Sequence, residues 1–430
     1  MKQKITMLLF NNFTNDARVY KEGKSLADAG YLVDLICVQE IGKAALPRAE
    51  VVQPGFQVTR VSGKSGLIGI SCILAGLLLL SMTIGSLIAT ILSACLLAIW
   101  LIPKVRRLAN MALLIAEMTR VARGRKTDFY HAHDLNTLPQ AQIAAKWRIK
   151  KKPLIYDSHE VQTSREGYHG AIHGWIERFY IKTIDFMIVE NDTRAEYNEK
   201  IYGFLPSVVH NYPELDATPR KVTSLHQKLN LPKNELILLY QGVMNPGRGL
   251  EKLVMAAPLF KKGTLVFIGD GRQKAELETM VVKQGLTDKV KFVNKVPLAD
   301  LKSYTEQAYL GFQVLNNTCF NHYSASSNKL FEYIAASVPV IACDFPEIKK
   351  VVQGDQVGLC VDSHDPASIA KGVNAIIANP LHYAELKANI TTIKEKYIWE
   401  NEQHRLLNYY AKLGGIPHQK RQNQHYYANV

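Results

Sequence analysis

The chain has 430 residues, 47% of them hydrophobic and 21% charged, with a formal net charge of +14 and an isoelectric point near 9.3. These proportions exclude a disordered chain and leave room for two domains of ordinary size. The cationic excess favours an anionic partner such as acidic headgroups or phosphorylated substrates. The basic residues are spread out and no nucleic-acid motif appears, so that class of partner is disfavoured. The six cysteines, Cys37, Cys72, Cys95, Cys319, Cys343 and Cys360, are scattered without a CxxC pair. They read as reduced, buried thiols in a cytosolic setting, not as a disulfide framework or a zinc site.

The first residues, MKQKITMLLFNNFTND, hold an apolar run from Ile5 to Phe10. It is too short for a signal peptide and suits a first strand over 4–10. A helix over 16–29 ends at Gly30, and strands follow over 31–38 and 56–61. From Ser65 to Pro103 no residue is charged. One helix of that length would span roughly 58 Å at about 1.5 Å per residue, far more than a bilayer core of about 30 Å. Two helices meeting near Gly85 fit better, as a hairpin that enters and leaves a membrane on one side. Lys64 precedes the run, and Lys104, Arg106 and Arg107 follow it, so both ends carry the positive-inside mark. A buried core hairpin is the alternative reading.

A basic helix over 105–123 follows, carrying Lys104, Arg106 and Arg107 at its start and Arg120 and Arg123 at its end. Next come a strand over 128–132, a helix over 138–147, a strand over 153–157, a helix over 172–182 and a strand over 186–189. Such βα repeats predict a parallel, doubly wound sheet with ligands at the carboxyl ends of its strands. The stretch HNYPELDATPRKVTS, 210–224, reads as an interdomain linker. A second βα series begins with strand 236–240 and helix 250 onward. It continues through strand 265–268, the turn Gly269-Asp270-Gly271, helix 273–284, strand 290–293, helix 298–308 and strand 310–314. The chain closes with a polar helix over 399–413. The expected domains are 1–213, with 65–103 as an apolar insertion, and 214–395. A terminal helix over 396–413 and a disordered tail over 414–430 complete the division.

Two constellations can carry chemistry. The loop QGVMNPGRGLEKL, 241–253, follows a strand and opens a helix. Gly242, Gly247 and Gly249 allow close backbone approach, free N–H groups at a helix start bind anions, and the fork of Arg248 fits phosphate. A plain tight turn with a solvated arginine would read the same way. The second is SSNKLFEYIAASVPVIACDFPE, 326–347. Ser326, Ser327 and Asn328 are good cap residues. A capping box would need Glu or Gln at 329–331, where Lys329, Leu330 and Phe331 stand, so Glu332 is not a cap partner. It is either an intrahelical partner of Lys329 or an acceptor for sugar hydroxyls, with Lys329 and the helix start facing a diphosphate. His131, His133 and His159 lie at strand ends, where backbone groups often satisfy histidines. Asp134 and Glu160 read equally well as caps or ligands, and Glu177 as a solvated helix position. No DxD motif and no His/Cys cluster is visible.

NKLFEYIAASVPVI, with LVFIGDG before it and RGLEKL upstream, resembles the C-terminal half of family 4 glycosyltransferases. NDARVYKEGKSLADAGYLVDLICV, HAHDLNTLPQAQIAA, LIYDSHE and VVHNYPEL resemble stretches of that family's N-terminal half and of the point where its first domain ends. The resemblance spans nearly the whole chain except the apolar insertion and the tail. It implies an α/β protein of GT-B fold, with two Rossmann-like domains facing a cleft, that retains configuration. With no DxD motif, and with basic groups and a helix start to meet the leaving diphosphate, no metal is expected. By position, Glu332 matches the second glutamate of the family's paired motif, which binds the donor ribose. Arg248 matches the basic residue at the donor diphosphate, and His133 a histidine beside the transferred sugar. The implied catalytic set is His133, Arg248 and Lys329. Gly242, Arg248, Gly249, Asn328, Lys329, Leu330 and Glu332 are the implied donor site, and Asn12, Asp16 and His159 the acceptor side.

Three departures stand out. Ser324 occupies the place of the first glutamate. Val243 stands where a second basic residue is usual, so Lys329 is expected to supply that charge. The loop NNFTND lacks the family's Gly-Gly pair. The resulting expectation is a glycosyltransferase at the cytoplasmic face of the cell membrane. It would move a sugar from a nucleotide-sugar to a lipid-linked acceptor in surface polysaccharide or glycoconjugate assembly. A nucleotide-sugar-binding scaffold without turnover, or an epimerase on the same fold, are the alternatives.

Overall fold

The computed structural model describes residues 2–14, 16–39, 46–164, 170–215 and 222–414. The expected tail from 415 onward and residues 216–221 of the expected linker lie outside the described residues. The chain divides into two compact units. One comprises Met1–His159, Ala171–Ile188 and Tyr409–Val430, the other Glu160–Gly170 and Val189–Asn408.

In the first unit the strands are β1 (Lys4–Leu8), β2 (Leu32–Val38), β3 (Ala49–Gln53), β4 (Phe56–Val61), β5 (Phe129–His133), β6 (Leu154–Ser158) and β7 (Phe186–Val189), in the order β3-β4-β2-β1-β5-β6-β7. From β4 through β6 every pairing is parallel. Every residue of β5 and β6 is buried, as a parallel sheet covered on both faces requires. The edge strand β3 runs antiparallel to β4. Its sequence, AEVVQ, has no apolar run to announce it. The helices are α1 (Ala17–Asp28), α2 (Lys64–Ile84), α3 (Leu87–Leu101), α4 (Pro103–Gly124), α5 (Leu138–Lys146) and α6 (Gly170–Ile181). The order of this sheet reverses between β1 and β5, which is where an open α/β sheet leaves a crevice at the carboxyl ends of its strands.

The apolar run folds as two helices, and Gly85 between them takes the left-handed conformation (φ 73°) that caps α2. α2 and α3 fold back on each other: the Trp100 indole, near the end of α3, donates to Ser71 Oγ, early in α2, at 2.9 Å. Only 6% of the Gly66–Ile84 window is buried. A bend of 80° at Ile102–Pro103 separates α3 from α4. Gly63 and Gly66 let the root of α2 approach α4 closely, since a Cβ on them would lie 2.5 Å from Asn110 and 2.8 Å from Leu113. Cys72 and Cys95 sit exposed on the hairpin, whereas Cys37 and Cys343 are buried as expected.

The second unit holds a six-stranded parallel sheet. α7 (Asp192–Tyr202), β8 (Ser207–Val208) and α8 (Leu225–Lys228) precede it. Then come β9 (Ile237–Gln241), α9 (Leu250–Ala256), β10 (Thr264–Ile268), α10 (Lys274–Lys283), β11 (Val290–Val293), α11 (Leu298–Thr305), β12 (Leu310–Gln313), α12 (Phe320–Tyr323), α13 (Asn328–Ala335), β13 (Val340–Cys343), α14 (Pro346–Gly354) and β14 (Gly358–Val361). α15 (Pro366–Ala378), α16 (Pro380–Ile393) and α17 (Trp399–Gly414) follow. The order β11-β10-β9-β12-β13-β14 is the doubly wound one, with its reversal between β9 and β12. Alternation along β9 divides two cores. Ile237 and Leu239 pack with Leu330 and Ile334 of α13, while Leu238 and Tyr240 pack with Leu253 and Val254 of α9.

Candidate active site

The chemistry-bearing residues gather in two clusters, one in each unit. In the first unit, α1 presents Arg18 and Glu22, four apart and both buried, to the carboxyl ends of β5 and β6. Arg18 donates to both oxygens of Asp157, at 2.8 Å each, and its Nε lies 3.1 Å from Glu22. Asp157 also accepts from His159 at 2.9 Å, and His133 Nδ1 lies 3.3 Å from the same oxygen. His131 Nδ1 bonds Tyr410 Oη of α17 at 2.8 Å. Burial alone would raise the Asp157 carboxyl. The Arg18 guanidinium and then His159 overrule it and hold the group well below the usual carboxylate range. For His159, burial works against the proton, but the Asp157 and Asp134 carboxylates raise it to about 10. Glu22 goes the other way: burial and then the Asp157 charge push it up to about 8, so it is a neutral acid near pH 7. Burial lowers His133, with its bond to Asp157 opposing, and keeps His131 neutral.

His133 Nδ1 lies 3.3 Å from Asp157 and 3.2 Å from His159 Nε2, and its buried Nε2 has no hydrogen-bond partner among the described residues. Glu22, His131, His133 and Asp157 each offer a ligand atom within 4.8 Å of the others. Yet the His131 and His133 rings stack, with centroids 4.3 Å apart and planes 23° from parallel. An imidazole coordinates in its own plane, so rings stacked in this way do not aim both lone pairs at one ion. Arg18 already takes two bonds of Asp157.

Ahead of α1, Asp16 caps the helix through Val19 N–H and accepts from Asn11 Nδ2. Asn12 Oδ1 accepts from the Thr14 N–H and hydroxyl. Both polar groups therefore shape the loop. Phe13 adopts φ 64°, a conformation that costs a non-glycine residue roughly 1–2 kcal/mol. Its ring packs edge-on against Phe56, 5.9 Å away, which offsets the strain where a glycine pair is usual. Glu177, expected to be solvated, is buried instead and accepts from Tyr156 Oη at 2.6 Å. Helical spacing alone does not tell which face turns inward.

In the second unit the loop between β9 and α9 holds Gly242, Gly247 and Gly249 at φ 121°, 80° and 70°. It is braced by Met244 N–H to Asp270 O, Gln273 N–H to Met244 O and Asn316 N–H to Gly247 O, each at 2.9 Å. Gly269 approaches this loop closely, since a Cβ there would lie 2.0 Å from Gly242 O. Lys329, buried at the start of α13, places its ammonium 3.9 Å from the centroid of the Tyr240 ring. Burial and then the Arg248 charge lower Lys329 well below its ordinary value, with Glu332 opposing. Arg248 Nε is buried without a hydrogen-bond partner. Arg248 and Lys329 thus lie beside a glycine loop and a helix start, the kind of setting in which backbone N–H groups can take an anion. Glu332 is aimed by Gln241 Nε2 at 2.6 Å, and Gln241 Oε1 accepts from Thr305 at 2.6 Å. Asn328 is exposed and Leu330 is buried in the core.

Comparison with known proteins meets this geometry. Residues 221–393 match the family model described as glycosyl transferases group 1. The chain carries a group 1 glycosyltransferase domain. A D-inositol 3-phosphate glycosyltransferase of Xylanimonas cellulosilytica is 26% identical over 312 residues, which is 66% of this chain and 72% of that protein. Relatives of the same name from Nocardioides and Thermomonospora curvata are matched over 55% and 44% of their lengths. In fold, the chain resembles sucrose-phosphate synthase from Thermosynechococcus elongatus, with a TM-score of 0.74 at 18% identity over 96% of this chain and 100% of that one. It also resembles Anabaena HepE in complex with UDP-glucose, with a TM-score of 0.66 at 16% identity over 95% and 99%. The protein is thus a glycosyltransferase of GT-B type, with two Rossmann-like domains.

In the group 1 domain Ser324 is a buried joint. Its hydroxyl donates to Phe320 O at 2.8 Å and accepts from Arg194 Nε at 3.3 Å, while Arg194 is paired with Glu190 at 2.6 Å. Val243 is exposed, and the Lys329 ammonium would lie 3.7 Å from a Cβ on Gly242, next to the place where a basic side chain is lacking. Sequence reasoning passed over Arg18, Glu22, Asp157 and Gln241. The available signal was a charge pair at i, i+4 beside the apolar Val19 and Leu26 of α1.

Two outcomes follow. An acid whose pKa rises on folding, here from 4.5 to about 8, favours the folded state below the lower value, and that favour is lost as pH climbs through the upper one. Glu22→Gln should therefore gain stability relative to wild type as pH rises between those values, read as thermal midpoints across a pH series; parallel profiles would contradict it. Gly269→Ala should cost about 3 kcal/mol and weaken nucleotide binding, measured by thermal unfolding and nucleotide titration.

Proposed function

We propose that this glycosyltransferase uses a nucleotide-sugar donor, retains configuration, and works at the cytoplasmic face of a membrane on a lipid-linked saccharide. The donor half rests on the anion site of the second unit. Arg248, Lys329 and the N-terminus of α13 stabilise the leaving diphosphate as its charge develops, and Glu332 accepts from the ribose hydroxyls. In the first unit, His133 stands on the side of the transferred sugar, and His159, charged and a fifth exposed, faces the acceptor side with Asn12 and Asp16. No metal is needed in this reading, because the two cations and the helix start already supply positive charge.

The single observation that carries the membrane half is the α2–α3 hairpin, which carries no charge between Ser65 and Pro103 and exposes Ile68, Ile73, Leu80, Ile84 and Ile88. α2, with 21 residues, is about 31 Å long, matching a bilayer core. The hairpin leaves the sheet after β4, at the same carboxyl edge as His133 and Asp157. With the hairpin along the membrane normal, the 80° bend lays α4 near the membrane plane. Its exposed Leu108, Met111 and Ile115 line one face, with Lys104, Arg106 and Arg107 beside them. A second reading takes a soluble phosphorylated acceptor, as the name of the Xylanimonas relative indicates for that protein.

Release of nucleoside diphosphate separates the readings. The detergent-purified enzyme is offered UDP-, GDP- and dTDP-sugars with a polyprenyl-diphosphate saccharide, with inositol phosphate, or alone. Release that requires the lipid acceptor, and that falls at least about 100-fold in Glu332→Ala and Arg248→Ala, is the expected result. Release with inositol phosphate only would move the assignment to the second reading. In sealed vesicles, cysteines placed at 64 and 104 should be labelled from one side; labelling from opposite sides would overturn the hairpin.

A further inference from the structure

We propose that the exposed face of α6 is a second membrane contact, seated among the headgroups of an anionic bilayer. The inference rests on the membrane reading above. α6, GAIHGWIERFYI, is polarised against the usual sense. Its buried face holds Glu177, bonded to Tyr156, and Ile181. Its exposed face holds Ile172, Trp175 and Phe179, which are 59%, 70% and 56% exposed. Spacings of three and four residues align these three side chains on one surface. The Trp175 and Phe179 rings stack, 6.3 Å apart and 22° from parallel. Arg178 and Lys182 are exposed along one margin of the same surface.

Aromatic side chains beside cations suit one environment in particular. Trp settles at the boundary between headgroups and acyl chains, and nearby basic residues meet acidic lipid. At 12 residues the helix is about 18 Å long, too short to cross a bilayer, so it lies on one. Its place in the fold allows this. α6 returns to β7, whose approach is fixed beside the start of β6 by Asp185 N–H to Leu154 O at 2.9 Å. The first turns of α6 therefore lie toward the carboxyl edge, the edge from which the hairpin departs. In the strand order β4-β2-β1-β5-β6, the roots of the two features are roughly 19 Å apart at about 4.8 Å per strand. One membrane plane can meet both.

The test uses the full chain in vesicles, with Cys72→Ser and Cys95→Ser as background. An environment-sensitive NBD probe is placed at Ile172→Cys on α6 or at Leu80→Cys on the hairpin. The expected result is a blue shift at both positions in vesicles rich in phosphatidylglycerol. The shift at 172 alone should be lost in pure phosphatidylcholine and in the double variant Arg178→Glu, Lys182→Glu. A shift at 80 with none at 172 would overturn the α6 contact and leave the membrane reading standing. No shift at either position would overturn both. A shift at 172 that ignores lipid charge and grows with protein density would assign the face to a second copy of the chain, and so would also overturn the proposal.

Discussion

Where the order of a parallel sheet reverses, the crossover connections on its two sides lead away from each other, and the carboxyl ends of the central strands are left uncovered. Both sheets of this protein obey that constraint, between β1 and β5 and between β9 and β12. The chemistry gathers at those ends. His133 closes β5, Asp157 lies near the end of β6, and the loop after Gln241 follows β9. The glycines of that loop matter because the backbone itself must come close. Gly269 presses on Gly242 O, and Gly271 would put a Cβ 2.2 Å from Met244 O. The site is thus set by strand order first and by side chains second.

The two clusters use buried charge in opposite ways. In the first unit, the Arg18 and His159 charges are matched by the Asp157 and Asp134 carboxylates, and Glu22 accommodates burial by keeping its proton. Such a network costs desolvation and holds its members in one arrangement. In the second unit, burial and the Arg248 charge lower Lys329, with the Glu332 and Cys343 charges opposing and the Tyr240 ring 3.9 Å from its ammonium. That imbalance is what a dianionic ligand would relieve. A single feature, burial of charge, therefore gives a paired network in one unit and, in the other, the positive groups that the proposed donor diphosphate would meet.

Much of this was legible in the sequence because the information is local. Apolar runs bounded by glycine mark the strands, and the NKLFE stretch and the RG loop carry their meaning within a few residues. The first cluster was not legible, because its members come from separate segments. Arg18 and Asp157 are 139 positions apart, and Tyr410 reaches His131 from 279 positions away. Glu177 was misread for a related reason: helical periodicity gives two faces, and only the neighbour Tyr156 decides which is inside. β3 escaped notice because an edge strand half in water has no apolar signature. Ser324 was legible as a departure, but its bonds to Phe320 and Arg194 depend on where α7 lies.

The hairpin can be weighed against its alternative on length and surface. A buried core hairpin would need other elements to cover it, and almost all of α2 past its root is bare. α3, with 15 residues, is about 22 Å long and falls short of a bilayer core on its own. A single crossing that continued outward through α3 would carry its apolar surface into water beyond the core that α2 already matches in length. Folding back at Gly85 removes that difficulty, because Trp100 meets Ser71 deep on the return path and Pro103 then turns the chain sharply into α4. The unequal legs also explain the glycines at the root. Gly63 and Gly66 let α2 start against α4, so the basic helix is held at the level where the apolar surface begins.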